Sequence, residues 1–421
     1  MSCMQNLHIL IPRHFNFHSS HYTSIWLESI SPKLSEYFNI KITWFYYSAL
    51  KTEKPILKKN ENVVLIEDFK NANEVIQKIK PDIVLDSEFP TLIDLSFLAA
   101  AKNNSFYVRK YSNHRIFKVP LKFRSTVSRL NTNLPTEQKS STKRGNFFFY
   151  KYCFFIKSLI SSNLTFFEKL NFLIISIKWN FITEHPLVNS KIQTDLELLN
   201  SNILKNLLLE NGYSESKLIV TGNPIFDKVF KKSNNFSKKS TNKLKILFAP
   251  YQHYGGDHQD FQEKITKDIV EQITSRKDKF SLVVKLHPSY HDYNYFTKLI
   301  SSIDDSIPIF QKGSIEDYLD ESDILISNGV VSSSSIYGLI LKKPVIFCDF
   351  YKLYSYDEFN NIILQCNDRN VFLELLQNSY ELNQKNSKHI ETFLEQNYFK
   401  TDGLSSDRVA LAIKQLIEHK N

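Results

Sequence analysis

Two short segments in the second half of this 421-residue chain bring together groups suited to binding anions. In Lys285-Leu286-His287-Pro288 an imidazole stands at the end of an apolar run that carries a lysine. A histidine placed there can donate a hydrogen bond to a phosphate oxygen and, when protonated, offset charge on a leaving group. The proline fixes φ and ends the strand, so the ring is held in place; a turn histidine satisfied by solvent is the plain alternative. In the second segment Asn328 and Gly329 form a turn, and Ser332, Ser333, Ser334 and Ser335 start a helix. Free backbone N–H groups, the positive end of the helix dipole and several hydroxyls meet there, which makes an anion site. One serine would suffice as a cap, so four in a row exceed that need. A Gly255-Gly256 turn carrying His253 can approach a substrate backbone-first; it equally reads as an ordinary loop with Asp257 as helix cap. In the first half Asp86 and Glu88 follow a short apolar run, where a carboxylate can act as general base for an acceptor hydroxyl. Asp86 or Ser87 capping the next helix is the alternative there, and His14, His18 and His21 are rival bases.

The elements that must position these groups alternate between short apolar runs and amphipathic stretches, the pattern of βαβ units and parallel sheets. In the first half strands are expected at Leu7–Ile11, Ile40–Tyr46, Val63–Ile66, Ile83–Leu85 and Ser105–Arg109, with helices at Ser24–Phe38, Ala72–Ile79 and Thr91–Lys102. Residues 124–145 lack apolar periodicity and read as a loop. The segment from 147 to 179 interleaves Phe and Ile with Lys; it fits a membrane-interface segment or a buried helical pair. Lys191–Asn211 reads as one long helix and Lys217–Val220 as a strand. Residues 228–245 hold seven lysines and no acid, and read as a linker between an acceptor domain (1–227) and a donor domain (246–421). In the second half strands are expected at Ile246–Ala249, Leu282–Lys285, Pro308–Phe310, Ile324–Ser327 and Val345–Phe347, alternating with helices, and helices fill the tail, the last over Ser406–His419. Ligands of open α/β sheets bind at the carboxyl ends of the strands, so the polar tips should face one crevice.

Composition narrows the function. The chain is 42% hydrophobic and 23% charged, as for an ordinary globular protein of about two domains. It has nine glycines and neither G-x-G-x-x-G nor G-x-x-x-x-G-K-[ST], which argues against dinucleotide oxidoreductases and Walker-type NTPases. The four cysteines have no metal-ligand spacing, and no D-x-D is present, so neither a metal nor another cofactor is expected. No signal peptide and no span of about 20 apolar residues is expected, which suits a cytoplasmic protein. The formal charge of +9 suggests an anionic partner, a phosphorylated substrate or an acidic membrane surface, although a lysine-biased genome would give the same excess. No nucleic-acid-binding motif is present.

Several of these motifs together are familiar. Val220-Thr221-Gly222-Asn223-Pro224-Ile225-Phe226-Asp227 resembles the segment that joins the two domains of GT-B-fold enzymes building surface polysaccharides. Lys285-Leu286-His287-Pro288 is similar to the K-x-H-P of capsule-synthesis transferases and of CDP-glycerol glycerophosphotransferases. Asp323–Ser327, the serine run, Lys342–Phe347 and the terminal Asp402–Val409 resemble further elements of the same families. Bacterial sialyl- and polysialyltransferases also carry an HP and a serine motif, but their D/E-D/E-G base motif is missing. UDP-N-acetylglucosamine 2-epimerases carry G-G-x-x-E-E where this chain has its serines, Ile336 and Tyr337, which speaks against epimerase chemistry. The glycerophosphotransferases usually place an acidic residue a few positions after the serine pair, where Tyr337 stands here.

The resemblance implies two Rossmann-like domains facing across a cleft, with a C-terminal helix, in a metal-independent and inverting glycosyltransferase. A sugar would pass from a UDP-, CMP- or CDP-type donor to a surface polysaccharide or lipid-linked acceptor at the inner membrane face, with glycerol phosphate transfer from CDP-glycerol as the second reading. It implies His287 at the leaving phosphate, with Asn328, Gly329 and Ser332–Ser335 on the diphosphate. Phe310, Lys312, Ser314 and Glu316 would face the base and ribose. Gly222, Asn223, Pro224, His253, Gly255, Gly256, Lys285 and Pro288 would line the cleft, with Asp86 or Glu88 as base.

Overall fold

Val- and Ile-rich runs become inner strands because a parallel sheet covered by helices buries both faces of each strand. The computed structural model describes residues 4–12, 22–46, 57–87, 91–102, 105–111, 141–178, 189–233, 243–251, 259–287, 292–328, 332–352 and 359–419. Of the candidate residues, His14, His18, His21, Glu88, His253, Gly255, Gly256, Asp257, Pro288 and Gly329 lie outside them.

The first unit runs β1 (Gln5–Pro12), α1 (Tyr22–Leu34), β2 (Phe38–Tyr46), β3 (Glu61–Leu65), α2 (Ala72–Ile79), β4 (Ile83–Ser87), α3 (Leu92–Ala101) and β5 (Phe106–Lys110). Then come α4 (Ser141–Ser161), α5 (Phe166–Ile177), β6 (Leu196–Leu199), α6 (Asn202–Glu210) and β7 (Leu218–Val220). Its described strands form one parallel sheet in the order β3-β2-β1-β4-β5-β6-β7. The second unit contains α7 (Asp227–Ser233), β8 (Leu244–Pro250), α8 (Gln259–Thr274), β9 (Phe280–Lys285), α9 (Tyr293–Ser301), β10 (Ile309–Phe310), α10 (Ile315–Glu321) and β11 (Ile324–Asn328). It continues through α11 (Ser333–Ile340), β12 (Val345–Cys348), β13 (Leu364–Cys366), α12 (Phe372–Lys385) and α13 (Ser387–Tyr398), and α14 (Ser405–Glu418) ends the chain. Its sheet order is β10-β9-β8-β11-β12-β13. Both sheets reverse direction beside their first strand, between β1 and β4 and between β8 and β11, and such a switch point opens a crevice at the strand tips.

Four expectations need correction. Lys191–Asn211 is not one helix: β6 occupies its middle, with Leu196, Leu198 and Leu199 buried. The lysine-rich stretch is helical at its start, as α7, and joins β8 at Leu244, so only 234–243 lies between elements, all but Lys243 outside the described residues. The expected loop ends early, because α4 begins at Ser141. The tail also divides: Gln396–Lys400 and Leu404–Asn421 cluster with the first unit, the remainder from Phe226 with the second. α14 buries Val409, Ala410, Ala412, Ile413 and Ile417, and is tied to the α1 region by Lys33–Asp407 at 2.9 Å and by Lys414 over the Tyr37 ring.

The Phe/Lys-rich segment forms α4 and α5, and one face of each enters the first-unit core. Phe154 lies 5.9 Å from Phe45 and 6.4 Å from Phe97 between ring centroids, with Phe155, Leu159, Phe172 and Ile175 buried beside them. The buried helical pair is therefore correct for those faces.

Candidate active site

The second unit assembles its candidate groups at the tips of adjacent strands. With the order β9-β8-β11, the tips after β9 and β11 flank that of β8 and stand about 10 Å apart. His287 follows β9 and the serines follow β11.

Asn328, expected to bind phosphate, is fully buried and has a different role. Its Oδ1 accepts from the Tyr251 N–H at 2.9 Å and its Nδ2 donates to Thr266 Oγ1 at 3.3 Å, binding the end of β11 to the end of β8 and to α8. It fixes the switch point by holding the two tips together. Among the serines, Ser332 is the N-cap of α11; its Oγ lies 2.6 Å from Ser334 Oγ. Ser335 is fully buried and its Oγ accepts weakly from the Ser332 N–H at 3.5 Å. Ser335 is thus spent on the cap, so three hydroxyls rather than four remain for a ligand. Ser333, on the first turn, is the exposed one. α11 lies flat on its sheet because Gly338 has no side chain: a Cβ there would come within 2.7 Å of Val345 Cγ2.

Lys285, expected to line the cleft, is turned inward. It is buried, its Nζ donating to the carbonyls of Leu286 at 2.8 Å and Gln311 at 2.9 Å, above the Tyr318 ring. A lysine clasping two carbonyls fixes the β9 and β10 tips to each other, and desolvation lowers its pKa. His287 is exposed at its tip, yet crowding by protein, aided by the Lys285 charge, brings its pKa down to about 4. The imidazole is therefore neutral at pH 7, so any hydrogen bond it gives an anion comes from a neutral N–H, which counts against the cationic role.

The base and ribose candidates share one stretch of the same unit. Phe310 is half-exposed with its ring centroid 5.0 Å from Tyr318, and Lys312 and Ser314 are exposed. Ser314 caps α10 by accepting from the Glu316 N–H at 3.2 Å, and Glu316 is half-buried. Gln311 connects this stretch to the histidine, its Nε2 donating to the His287 carbonyl at 3.3 Å. Lys343, within the Lys342–Phe347 element of the resemblance, turns inward: its buried ammonium donates to the carbonyls of Leu319 and Ser322 at the end of α10.

In the first unit Asp86 is a strand residue in the sheet interior. Parallel register aligns Asp86 with Arg109 and Arg109 with Glu197 across β4, β5 and β6. Arg109 Nε is 3.5 Å from Asp86 Oδ2 and Nη1 is 3.7 Å from Glu197 Oε1, all three residues being buried. Asp94 adds a third buried carboxyl, raised well above its ordinary pKa by burial and by the nearby Asp86 charge. Burial raises Glu197 as well. An aspartate buried in such a cluster is poorly placed to receive a proton from an acceptor, so the structure argues against Asp86 as general base.

Gly222, Asn223 and Pro224 are buried and form a joint. Gly222 adopts φ +81°, and a Cβ there would lie 2.5 Å from Ser405 Oγ and 3.0 Å from the Tyr398 carbonyl. Arg408 Nη1 donates to the Thr221 carbonyl at 3.1 Å. The two terminal motifs of the resemblance thus fasten to each other within the first unit. Gly222→Ala combines backbone strain with overpacking and should destabilise by about 2–4 kcal/mol. Thermal melting checks this: Ser405→Gly in the same chain should recover part of the loss, and an unchanged melting temperature in the single variant would refute the joint.

The sequence profile of the family described as CDP-glycerol:poly(glycerophosphate) glycerophosphotransferase matches residues 183–415, just over half of the chain. Among solved structures, the wall teichoic acid polymerase TagF aligns with 98% of this chain and 89% of its own at 12% identity and a TM-score of 0.54. The S. aureus MnaA–UDP complex covers 98% and 97% at 15% identity and a TM-score of 0.54. A protein described as a UDP-N-acetylglucosamine 2-epimerase from Listeria monocytogenes covers 99% and 98% at 13% identity and a TM-score of 0.55. At these identities the likeness shows the fold: two α/β units of the GT-B type. No curated protein matches the chain by sequence at a significant level.

Proposed function

The chain belongs to the CDP-glycerol:poly(glycerophosphate) glycerophosphotransferase family, and on that premise we propose that it transfers glycerol phosphate from CDP-glycerol to a hydroxyl of a growing envelope polymer or lipid-linked acceptor. The family match supports placing glycerol phosphate ahead of sugar, the opposite of the order expected from the motifs. The observation that carries the reading is the pairing, on one sheet, of the α11 serine cap with the His287 tip. In this reading the Ser332, Ser333 and Ser334 hydroxyls and the α11 N-terminus hold the diphosphate, and the neutral His287 donates to the departing phosphate. The acceptor oxygen bonds to the glycerol-bearing phosphorus, the bond to the bridging oxygen breaks, and CMP leaves. The hydroxyl proton passes to a base, for which Glu88, His14, His18 and His21 are the candidates. No metal is assigned a role, and the enzyme works at the cytoplasmic face of a membrane.

A second reading keeps the same donor site but takes a nucleotide sugar with inversion at the anomeric carbon, by analogy with HP-motif transferases. It is favoured by Tyr337, which occupies the place of the family's usual acidic residue and packs edge-on against Phe226 at 4.9 Å between centroids. Product analysis with CDP-glycerol and with nucleotide sugars, each supplied with a glycerol phosphate oligomer, separates the two. Extension with CMP release supports the first reading, extension with a sugar supports the second, and no extension with any donor contradicts both.

A further inference from the structure

The two buried cysteines of the second unit play no part in the donor reading, and the strand register places them face to face. β12 and β13 pair in parallel through Ile346 with Leu364, Phe347 with Gln365 and Cys348 with Cys366. Register partners point to the same face of a sheet. Here Ile346, Cys348, Leu364 and Cys366 enter one apolar cluster with Phe372 and Leu376 of α12. The Cys348 thiol donates a hydrogen bond to the Cys366 sulfur. Paired strands stand about 4.8 Å apart, inside the range of about 4.4–6.8 Å between Cα atoms that a disulfide spans. A single buried cysteine behaves as a small hydrophobe. Two that meet across a strand pair can be joined with little movement of the backbone.

Position gives the two thiols different roles. Cys366 sits in the more accessible strand: β13 has three residues, lies at the edge of its sheet and is paired there with β12. Such an edge opens locally at far lower cost than an inner strand. The hydrogen bond from Cys348 also draws the pKa of Cys366 down, whereas burial pushes that of Cys348 well up, so Cys366 is the readier thiolate. The tip of β12 leads on to the donor cap. The Asp349 N–H donates to the Cys366 carbonyl at 3.0 Å, and the Lys352 N–H closes the following turn on the Asp349 carbonyl at 3.0 Å. In that turn the Tyr351 ring stands 5.1 Å from Phe261, near the start of α8. α8 follows β8 and the turn follows β12, and β11 with its serine cap lies between those two strands. A bond that draws the ends of β12 and β13 together therefore acts on a frame around the cap.

We propose that Cys348 and Cys366 form a thiol–disulfide exchange site that takes a low-molecular-weight disulfide of the glutathione type, and that the bond formed between them weakens the donor cap. The Cys366 thiolate attacks one sulfur of the small disulfide, breaking its S–S bond and releasing one thiolate as the mixed disulfide forms. The Cys348 thiol then gives its proton to water and attacks the Cys366 sulfur, releasing the second thiolate. Two protein thiols are oxidised by two electrons, and the small disulfide is reduced to two thiols that take up the two protons. Both cysteines are thiols in this structure, the resting state expected wherever small thiols are kept reduced.

The full chain is reduced, treated with oxidised glutathione and digested, its linked peptides are mapped by mass spectrometry, and the melting of both forms with CDP-glycerol is followed. The wild type should give a Cys348–Cys366 link that dithiothreitol reverses. Cys348→Ala should trap glutathione on Cys366, and Cys366→Ala should leave Cys348 unmodified. The oxidised wild type should bind CDP-glycerol roughly tenfold more weakly, the usual size of a coupling between sites, and the oxidant should not change the response of Cys366→Ala. Absence of the link in the wild type overturns the exchange site, as does glutathione on Cys348 in one variant with none on Cys366 in the other. A link that leaves the CDP-glycerol response undiminished overturns its effect on the cap. Only that effect rests on the donor reading: a reduced chain that ignores CDP-glycerol would contradict the donor reading, while the mapped link would still support the exchange site.

Discussion

His287→Ala should lower turnover by roughly 10²–10³-fold while leaving the melting temperature near that of the wild type. The size is that of one donor removed from a group whose charge grows in the transition state. Folding should tolerate the change because the side chain stands exposed at a strand tip and Lys285, not His287, clasps the carbonyls beneath it. The pH behaviour follows from the depressed pKa of about 4. The imidazole is neutral at pH 7, so the acid limb of kcat/KM assigned to it should fall near pH 4. A rate that rises as pH drops from 7 to 5 would show that the protonated ring is the active form. Stability follows the same group. The unfolded chain takes up this proton near pH 6.5, while the folded chain resists until about 4. The folded state therefore loses stability as pH falls through that window, and His287→Ala should lose less. A folded variant with wild-type turnover would contradict the assigned role.

Arg109→Met should destabilise the first unit by about 3–5 kcal/mol, because it leaves buried carboxylates without their cation. For a unit of this size that lowers the melting temperature by roughly 6–20 °C. Three buried acids, Asp86, Asp94 and Glu197, surround this guanidinium, whose Nη1 also donates to the Ile192 carbonyl at 3.4 Å. Burial raises the pKa of Asp94 and of Glu197. A carboxyl raised in the folded state holds its proton where the unfolded chain has released it, so the stability it contributes falls as pH rises above about 4. The defect of Arg109→Met should therefore be deepest at neutral pH and ease toward pH 5, and Glu197→Gln in the same chain should relieve part of it. A variant that melts like the wild type would mean that the cluster carries no net stabilisation.

These two sites mark where reading the sequence succeeds and where it stops. Inner strands such as Ile324–Asn328 were legible as short continuous apolar runs, and helices such as Ala72–Ile79 by their period of 3.6 residues. The β6 strand was not legible, since Leu196-Glu197-Leu198-Leu199 lies within a leucine-rich stretch that also fits a helix. What makes Glu197 tolerable in a sheet interior is Arg109, nearly ninety residues away in the chain. The three-residue strand Leu364–Cys366 is too short to show a period. The same distance effect misled the reading of Asp86, which looks like a strand-tip base until its register partner is known. The placement of His287 and the serine run at the tips of strands in one sheet was legible because their residue types and turn signals are local. The burial of Ser335 and Asn328 and the inward turn of Lys285 were not, because each depends on contacts made from another strand or helix. The division of the tail between the two units depended on the packing of α14 near α1.

Thermal melting of the full chain with CDP-glycerol, CDP, CMP and UDP- or GDP-activated sugars, beside Ser333→Asp, tests the donor site most directly. An aspartate on the first turn of α11 suits the helix dipole, so it should preserve the fold while repelling a phosphate. The wild type should gain about 2.7 kcal/mol of stability at roughly 100 times the Kd of its donor, greatest with CDP-glycerol, and Ser333→Asp should lose that gain. No gain with any nucleotide, or an equal gain in Ser333→Asp, would contradict a donor site at the serine cap.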